Sequence, residues 1–253
     1  ADFLVDRISK VDLVFASETR QKLAVYQQLN SFEGDSSNYK TVLKNVNDIY
    51  SQIVLRKDDL ISRGLSSWDY EIVKQLARTI VQTHDVIYRV KLKDYKIWHR
   101  DLYMAENAQW ISNLIGQDKK ICLWAHNLHI SGDIQNKRMG YYLASSLSDQ
   151  YKKVGFVFTN GTFHPGPWAI ETPPIANSIN YILHQSKLPN FILDINSIPF
   201  KYDLYKYARL RQGLLSIGGT YNLVPKDNYR ETSLHGSFDA LIYFDRTNHS
   251  ELF

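Results

Sequence analysis

Four short apolar runs, separated by stretches of helical periodicity, constrain this chain more than any other feature. Ile121-Cys122-Leu123, Val154 to Phe158, Phe191 to Ile195 and Ala240 to Phe244 are rich in the β-branched and aromatic residues of buried strands. Between them, Met139, Leu143 and Leu147 recur at helical spacing, as do apolar residues from Ile175 to Leu188. This alternation predicts an α/β fold, with a mainly parallel sheet covered by helices. Residues 1–70 read instead as a helical N-terminal region, leaving 71–253 as the α/β domain. Its stripes are Leu23, Val25, Tyr26 and Leu29, then Val42, Val46, Ile49, Tyr50 and Ile53, with Leu43 and Leu55 widening the second. Ser36-Ser37-Asn38 and Gly64-Leu65-Ser66-Ser67 punctuate them. A long stripe from Ile72 through Leu76, Ile80 and Ile87 to Val90 predicts an amphipathic helix running on towards Arg100.

Chemistry in such sheets gathers at the carboxyl ends of strands. The first run is followed there by Trp124-Ala125-His126-Asn127-Leu128-His129, a polar turn with two imidazoles. Neutral imidazole can accept a proton, donate one or bind a metal. A cap and a packed ring are the plain structural alternative. After the second run comes Thr159-Asn160-Gly161-Thr162-Phe163-His164, with a third imidazole near the same edge. Asn196, Ser197 and Asp245 follow later strands and read equally as turn residues.

Upstream, Met104, Ala108, Ile111 and Ile115 mark one face of a helix that Gly116 stops. Arg100 and Asn107 flank one edge of that stripe and Asp101 the other. An Arg in a first turn opposes the helix dipole. The Arg100–Asp101 pair is therefore either a fork for a carboxylate or a helix–sheet anchor.

Arg100, Asp101, Met104, Ala105, Asn107 and Trp110, then Trp124 through His129, then Met139-Gly140 ahead of Tyr141 and Tyr142, resemble the erythromycin esterase family. Gly155-Phe156 and Phe238 through Ile242 extend the likeness over roughly residues 70–245. The resemblance implies water-mediated hydrolysis of an ester, with a macrolactone as one candidate, by a histidine base and without a covalent intermediate. It casts His129 as general base or its partner, His126 as orienting group or oxyanion donor, and Arg100 as electrostatic stabiliser. Asn107, Asn127 and His164 become candidate substrate-binding residues. The family's Gly-Glu-x-x-His turn, and the further Glu that accompanies it, are not found in this sequence. The chain is therefore expected to be the C-terminal portion of a longer protein, or a copy without its catalytic front, and to be incomplete as an esterase.

Other chemistries find less support. Gly-x-Ser-x-Gly and His-Glu-x-x-His are absent, and His126 and His129 lack a nearby third ligand, so neither metal nor cofactor is expected. The competing readings are a non-catalytic ligand-binding or structural domain, and a metal-dependent hydrolase using both imidazoles. A net charge of +4, without a block of like charges, and 17 scattered Tyr do not suggest nucleic acid. The expected partner is a small-molecule ester. No apolar run reaches the length of a membrane span. Cys122, the single cysteine, is expected to be a buried small hydrophobe. Cytoplasm and periplasm are both open to a soluble chain of this kind, and oligomeric state is not legible.

Overall fold

The computed structural model describes residues 1–28, 36–116, 118–163, 170–171, 174–217 and 221–249. They fall into two compact units, Ala1–Arg100 and Asp101–Phe253. The division lies beyond residue 70 because the amphipathic helix after that point packs on the N-terminal helices.

The first unit contains α1 (Asp2–Ser9), α2 (Leu13–Gln28), α3 (Ser36–Leu55), α4 (Lys57–Ser62) and α5 (Ser67–Lys91). On α3, Val42, Val46, Ile49 and Ile53 are all buried, as their spacing predicts. Full burial of each such side chain is worth about 1.5–3 kcal/mol. They meet Tyr70, Val73, Ala77 and Val81 of α5, together with Leu4, Ile8, Phe15 and Leu23. The side chains of Val25 and Tyr26, and Leu29 altogether, lie outside the described residues. Local chemistry sets the boundaries. The Asp12 carboxylate accepts the Phe15 N–H at 2.8 Å to start α2. Ser66 caps α5 by accepting the Asp69 N–H at 3.0 Å. Arg56 clamps Asp12 at 2.7 Å and Asp59 at 2.6 Å. The Phe15 N–H and the Arg56 hydrogen bond hold Asp12 below its ordinary pKa.

The stripe expected to continue from α5 breaks. Leu92 ends that helix and Lys93 takes a left-handed φ of 56°. A new helix, α6, then runs over Ile97–Ile115. Gly116, with φ of 101°, stops it as the sequence implies. The buried face of α6 differs from the expected stripe: Asp101, Ala105 and Ala108 are buried, whereas Ile111 and Ile115 are exposed. Small residues bring the helix close to its core, and the carboxylate goes in with them.

The second unit continues with α7 (Asn127–Ile130), α8 (Met139–Leu147), β1 (Val154–Phe163), β2 (Ile170–Glu171), α9 (Ile179–His184) and β3 (Asn190–Asp194). There follow α10 (Asp203–Tyr207), β4 (Gln212–Leu215), β5 (Tyr229–Thr232), α11 (Leu234–Ser237) and β6 (Ala240–Thr247). Three expected strands are present as β1, β3 and β6. The sheet order is β2-β1-β6-β3, and β4 pairs with β5 separately. The sheet is mixed rather than mainly parallel. Only β1 and β6 run parallel among the described pairs, while β2 joins β1, and β3 joins β6, antiparallel. Strand composition reports burial and carries no polarity, so alternation alone could not set these directions.

One sheet face supplies Val157, Leu241 and Tyr243 to a core with Met139, Leu143, Ile179 and Leu183. The other presents Phe156, Ile242 and Ile192 in register, with Ile192 72% exposed. The expected first strand is not formed: residues 119–126 have no strand assignment, and both Ile121 and Cys122 are exposed. A strand requires a neighbour for its backbone groups, and three apolar residues are too few to recruit one.

Candidate active site

The site grows from the buried side of α6. Asp101 is fully buried, a position that a carboxylate tolerates only with partners. Its Oδ1 accepts the His129 Nδ1–H at 2.6 Å and the Met139 backbone N–H at 3.0 Å. Its Oδ2 receives a longer contact from Arg138 Nη1 at 3.4 Å. Burial alone would raise the Asp101 pKa. The His129 and Met139 hydrogen bonds, with the charges of His129 and Arg138, outweigh that and hold it below its ordinary value. Met139 opens α8, so the carboxylate also sits at a helix N-terminus.

Backbone packing delivers Met139 there. A Cβ on Gly140 would lie 2.0 Å from the Ile130 carbonyl oxygen, so only glycine lets α8 approach the end of α7 this closely. The loop between them is pinned by Asp133, which is buried. Asp133 accepts Arg211 through both oxygens at 3.1 and 2.9 Å, the Gln135 N–H at 3.0 Å and Asn136 Nδ2 at 2.8 Å. Arg211 also donates to the Glu231 carbonyl.

The two imidazoles of the turn differ in kind. His126 is the N-cap of α7, and its Nδ1 accepts the Leu128 N–H at 3.2 Å. Its Nε2 lies 2.8 Å from the Ile217 carbonyl oxygen. A carbonyl can only accept, so Nε2 carries the proton and both nitrogens are committed. Burial, reinforced by the charges of His129 and Arg138, lowers the His126 pKa against the opposing pull of that carbonyl. His129 uses only Nδ1, on Asp101. Among the described residues no hydrogen bond engages its Nε2, and the side chain is 20% exposed. A neutral His129 with Nδ1–H bound to a carboxylate has an open acceptor on Nε2, the tautomer a general base requires.

Asn127 is spent on the scaffold: its Nδ2 donates to the Phe156 carbonyl at 2.6 Å and its Oδ1 accepts the Phe156 N–H at 3.0 Å. Asn107 is half-buried on α6, about 120° around the helix from Asp101. Arg100 is exposed and belongs to the first compact unit. His164 lies outside the described residues. Arg138 was missed by sequence reasoning, although it stands directly before Met139-Gly140. Asp101 was noticed, but as a rim residue. A crevice lined by Asn127, Leu128, Ser131, Leu215, Ser216 and Arg230 runs beside α7. Among the described residues no group of three His, Cys, Asp or Glu side chains is placed to hold a metal ion, and no helix is long and apolar enough to cross a membrane.

Solved structures share this architecture at low sequence identity. A Bacillus cereus protein superposes with a TM-score of 0.79 at 20% identity, over 97% of this chain and 62% of its own. A structure titled as a succinoglycan biosynthesis protein gives 0.70 at 22% identity, over 96% and 62% respectively. At these identities the likeness establishes the fold alone. In Bacillus subtilis (strain 168), the protein named "Putative hydrolase YbfO" is 25% identical over 126 residues, 42% of this chain. The match spans 27% of that relative's length. The sequence profile of the family described as erythromycin esterase matches residues 2–247, nearly the whole chain. With its Asp101–His129 pair and Met139-Gly140 junction in place, the chain belongs to the erythromycin esterase family.

Proposed function

We propose that this chain is a hydrolase domain acting on carboxylic esters, with macrolactones as one substrate class, and that His129 is its general base. The observation that carries the reading is the buried Asp101 carboxylate on His129 Nδ1, with Nε2 open. Family membership and the hydrolase name of the Bacillus subtilis relative support it.

In this mechanism the Nε2 lone pair takes a proton from water as the water oxygen bonds to the ester carbonyl carbon. Asp101 holds the ring's tautomer and stabilises the imidazolium that forms. The tetrahedral oxyanion then collapses, the C–O bond to the alcohol breaks, and the proton on Nε2 passes to the departing alkoxide. Acid–base participation of this kind contributes about 10²–10⁴-fold. His126, with both nitrogens occupied, supports the reaction by fixing the turn.

The test is hydrolysis of p-nitrophenyl acetate and of a macrolactone by the natural gene product, compared with His129→Ala and Asp101→Asn. Loss of turnover in both variants, with folding retained, supports the proposal. Turnover that survives His129→Ala overturns it. A wild type that binds esters without cleaving them favours the non-catalytic ligand-binding reading.

A further inference from the structure

Residues 199–210, which carry α10 between β3 and β4, divide into an inner and an outer side. Leu204 and Tyr207 pack on the core of the second unit, and Ala208 is fully buried in it. At about 100° per residue, Lys206 falls opposite Leu204 and Ala208, with Tyr202, Arg209 and Leu210 within about 60° of it. The outer side is apolar as well as charged: Phe200 is 80% exposed, Leu210 56% and Tyr202 54%. Phe200 precedes the helix, in the turn that the Tyr202 N–H closes on the Pro199 carbonyl at 3.1 Å. Large apolar side chains exposed singly need no explanation, but a cluster of them marks an interaction surface.

The charges of this segment are unbalanced. Lys201, Lys206 and Arg209 stand against Asp203 alone, three cations less one carboxylate, or +2. Elsewhere exposed arginines find carboxylates, as Arg63 does on Asp59 at 2.7 Å. Here the cations rest on rings instead. Lys201 Nζ lies 5.2 Å from the centre of the Tyr202 ring, and the Arg209 guanidinium 3.5 Å from that of Tyr205. Arg209 also donates to the Tyr205 carbonyl at 3.0 Å. Among the described residues no ion pair holds Lys201, Lys206 or Arg209.

We infer that the outer side of α10 and its flanks is a docking surface for an anionic lipid bilayer. Phe200, Tyr202 and Leu210 enter the boundary between headgroups and acyl chains, and the three cations meet lipid phosphates. Charge complementarity selects this occupant. Lysine and arginine carry polar heads on apolar stems, and tyrosine a polar tip on an apolar ring, so each suits a layer that is apolar on one side and charged on the other. A folded acidic partner would have to match a fixed shape, whereas a fluid surface adapts to the side chains it receives. No described helix is long and apolar enough to cross a membrane, so the attachment is peripheral. None of these residues belongs to the Asp101–His129 site, and the inference does not rest on the hydrolytic reading.

The experiment is co-sedimentation of the natural gene product with two kinds of vesicle. One is phosphatidylcholine alone, the other phosphatidylcholine and phosphatidylglycerol in equal parts. Saturable binding to the anionic vesicles is expected, at least tenfold weaker on phosphatidylcholine and weakened by added sodium chloride. Lys206→Gln with Arg209→Gln should reduce the affinity about thirtyfold, from about fivefold per cation removed. Lys40→Gln with Lys44→Gln, exposed on α3 in the other unit, removes the same net charge and should leave binding near the wild type. Phe200→Ala should weaken binding while preserving its salt dependence. All these side chains are exposed, so melting curves near the wild type confirm that folding is not the variable. Absence of binding to anionic vesicles, or binding indifferent to Lys206→Gln with Arg209→Gln, overturns the inference. Equal loss in the α3 pair would assign the attraction to net charge and overturn it likewise. Saturable binding to polyglutamate without binding to vesicles would reassign the surface to an acidic protein and overturn the lipid assignment. Ester turnover is read in none of these arms, so the hydrolytic reading can fail while the docking surface stands.

Discussion

Two carboxylates in the second unit have nearly the same burial and opposite surroundings. Asp133 is 4% exposed and Asp101 is 0% exposed. Around Asp133 the bonding closes: Arg211 is held by both oxygens and by the Glu231 carbonyl, and the loop amides of Gln135 and Asn136 complete the shell. Around Asp101 the bonding stays open, because among the described residues nothing bonds the Nε2 of His129, whose side chain is 20% exposed. Burial and charge pairing are therefore shared by an anchor and by a working site. The difference lies in whether the partners have any valence left for something else.

The largest effect should come from removing that spare valence. His129→Ala is expected to lower ester turnover about 10³-fold, within the range for loss of a general base, and to lower the melting temperature as well, because the buried Asp101 carboxylate loses its shortest hydrogen bond. Steady-state kinetics beside thermal denaturation checks this, and a variant that melts early and turns over normally when folded would make Asp101 a second anchor. Next, Asp133→Ala should destabilise the fold by about 3 kcal/mol by stranding Arg211, which is partly exposed, while turnover per folded molecule is retained. Urea unfolding of Asp133→Ala and Asp101→Ala side by side measures the contrast: the second should lose both stability and activity.

Acid provides a comparison with the imidazoles. Burial lowers the pKa of His84, on α5, to about 4. Below its ordinary value near 6.5 the unfolded chain takes up a proton that the folded chain refuses until about pH 4. Stability should thus fall as pH drops through that window, by about 3 kcal/mol at most, with His126 adding to the slope in the same direction. Asp101 acts in the same direction, at lower pH. Its depressed pKa contributes stability above the ordinary carboxylate range, and that contribution is lost only as pH falls through its lower folded value. Unfolding free energy measured from pH 8 to 3 should show the histidine slope first, and His84→Phe should flatten it. The smallest effect is expected from His126→Asn, which keeps a capping side chain and loses the Ile217 bond. About 1 kcal/mol of stability should go, with less damage to turnover than His129→Ala causes. Equal loss of turnover in the two variants would break the assignment of separate tasks to the two rings.

Much of the second unit was legible because its strands announce themselves. Val154 to Phe158 and Ala240 to Phe244 need burial on at least one face, and the sheet provides it. Ile121 to Leu123 carries a similar signal without a backbone partner, and pairing is a property of two segments. The α5–α6 break was hidden because Lys93 has no glycine or proline character to mark it. At the site, the imidazole pair was visible as a pair. The division of labour between the rings was not, since the partner of His126 lies 91 residues away. Asp101 could have been read as central rather than peripheral from the small residues Ala105 and Ala108 that share its face. Arg138 reaches a carboxylate 37 residues upstream, a pairing no local pattern encodes.

The amide of Asn127 has a consequence for how errors are excluded. It reads both polar groups of one β1 residue, Phe156, as a plug with two unlike pins. The neighbouring residues Gly155 and Val157 turn their backbone groups to the opposite edge, so a slip by one position offers the plug nothing. The nearest alternative socket is two residues away, about 7 Å along the strand. The turn can therefore be seated or displaced by a whole step, and small misplacements have no resting point. Rotating the amide sets donor against donor and acceptor against acceptor, which leaves one orientation as well as one address. A single side chain thus converts the position of α7, and of the ring of His129, from a continuous variable into a discrete one.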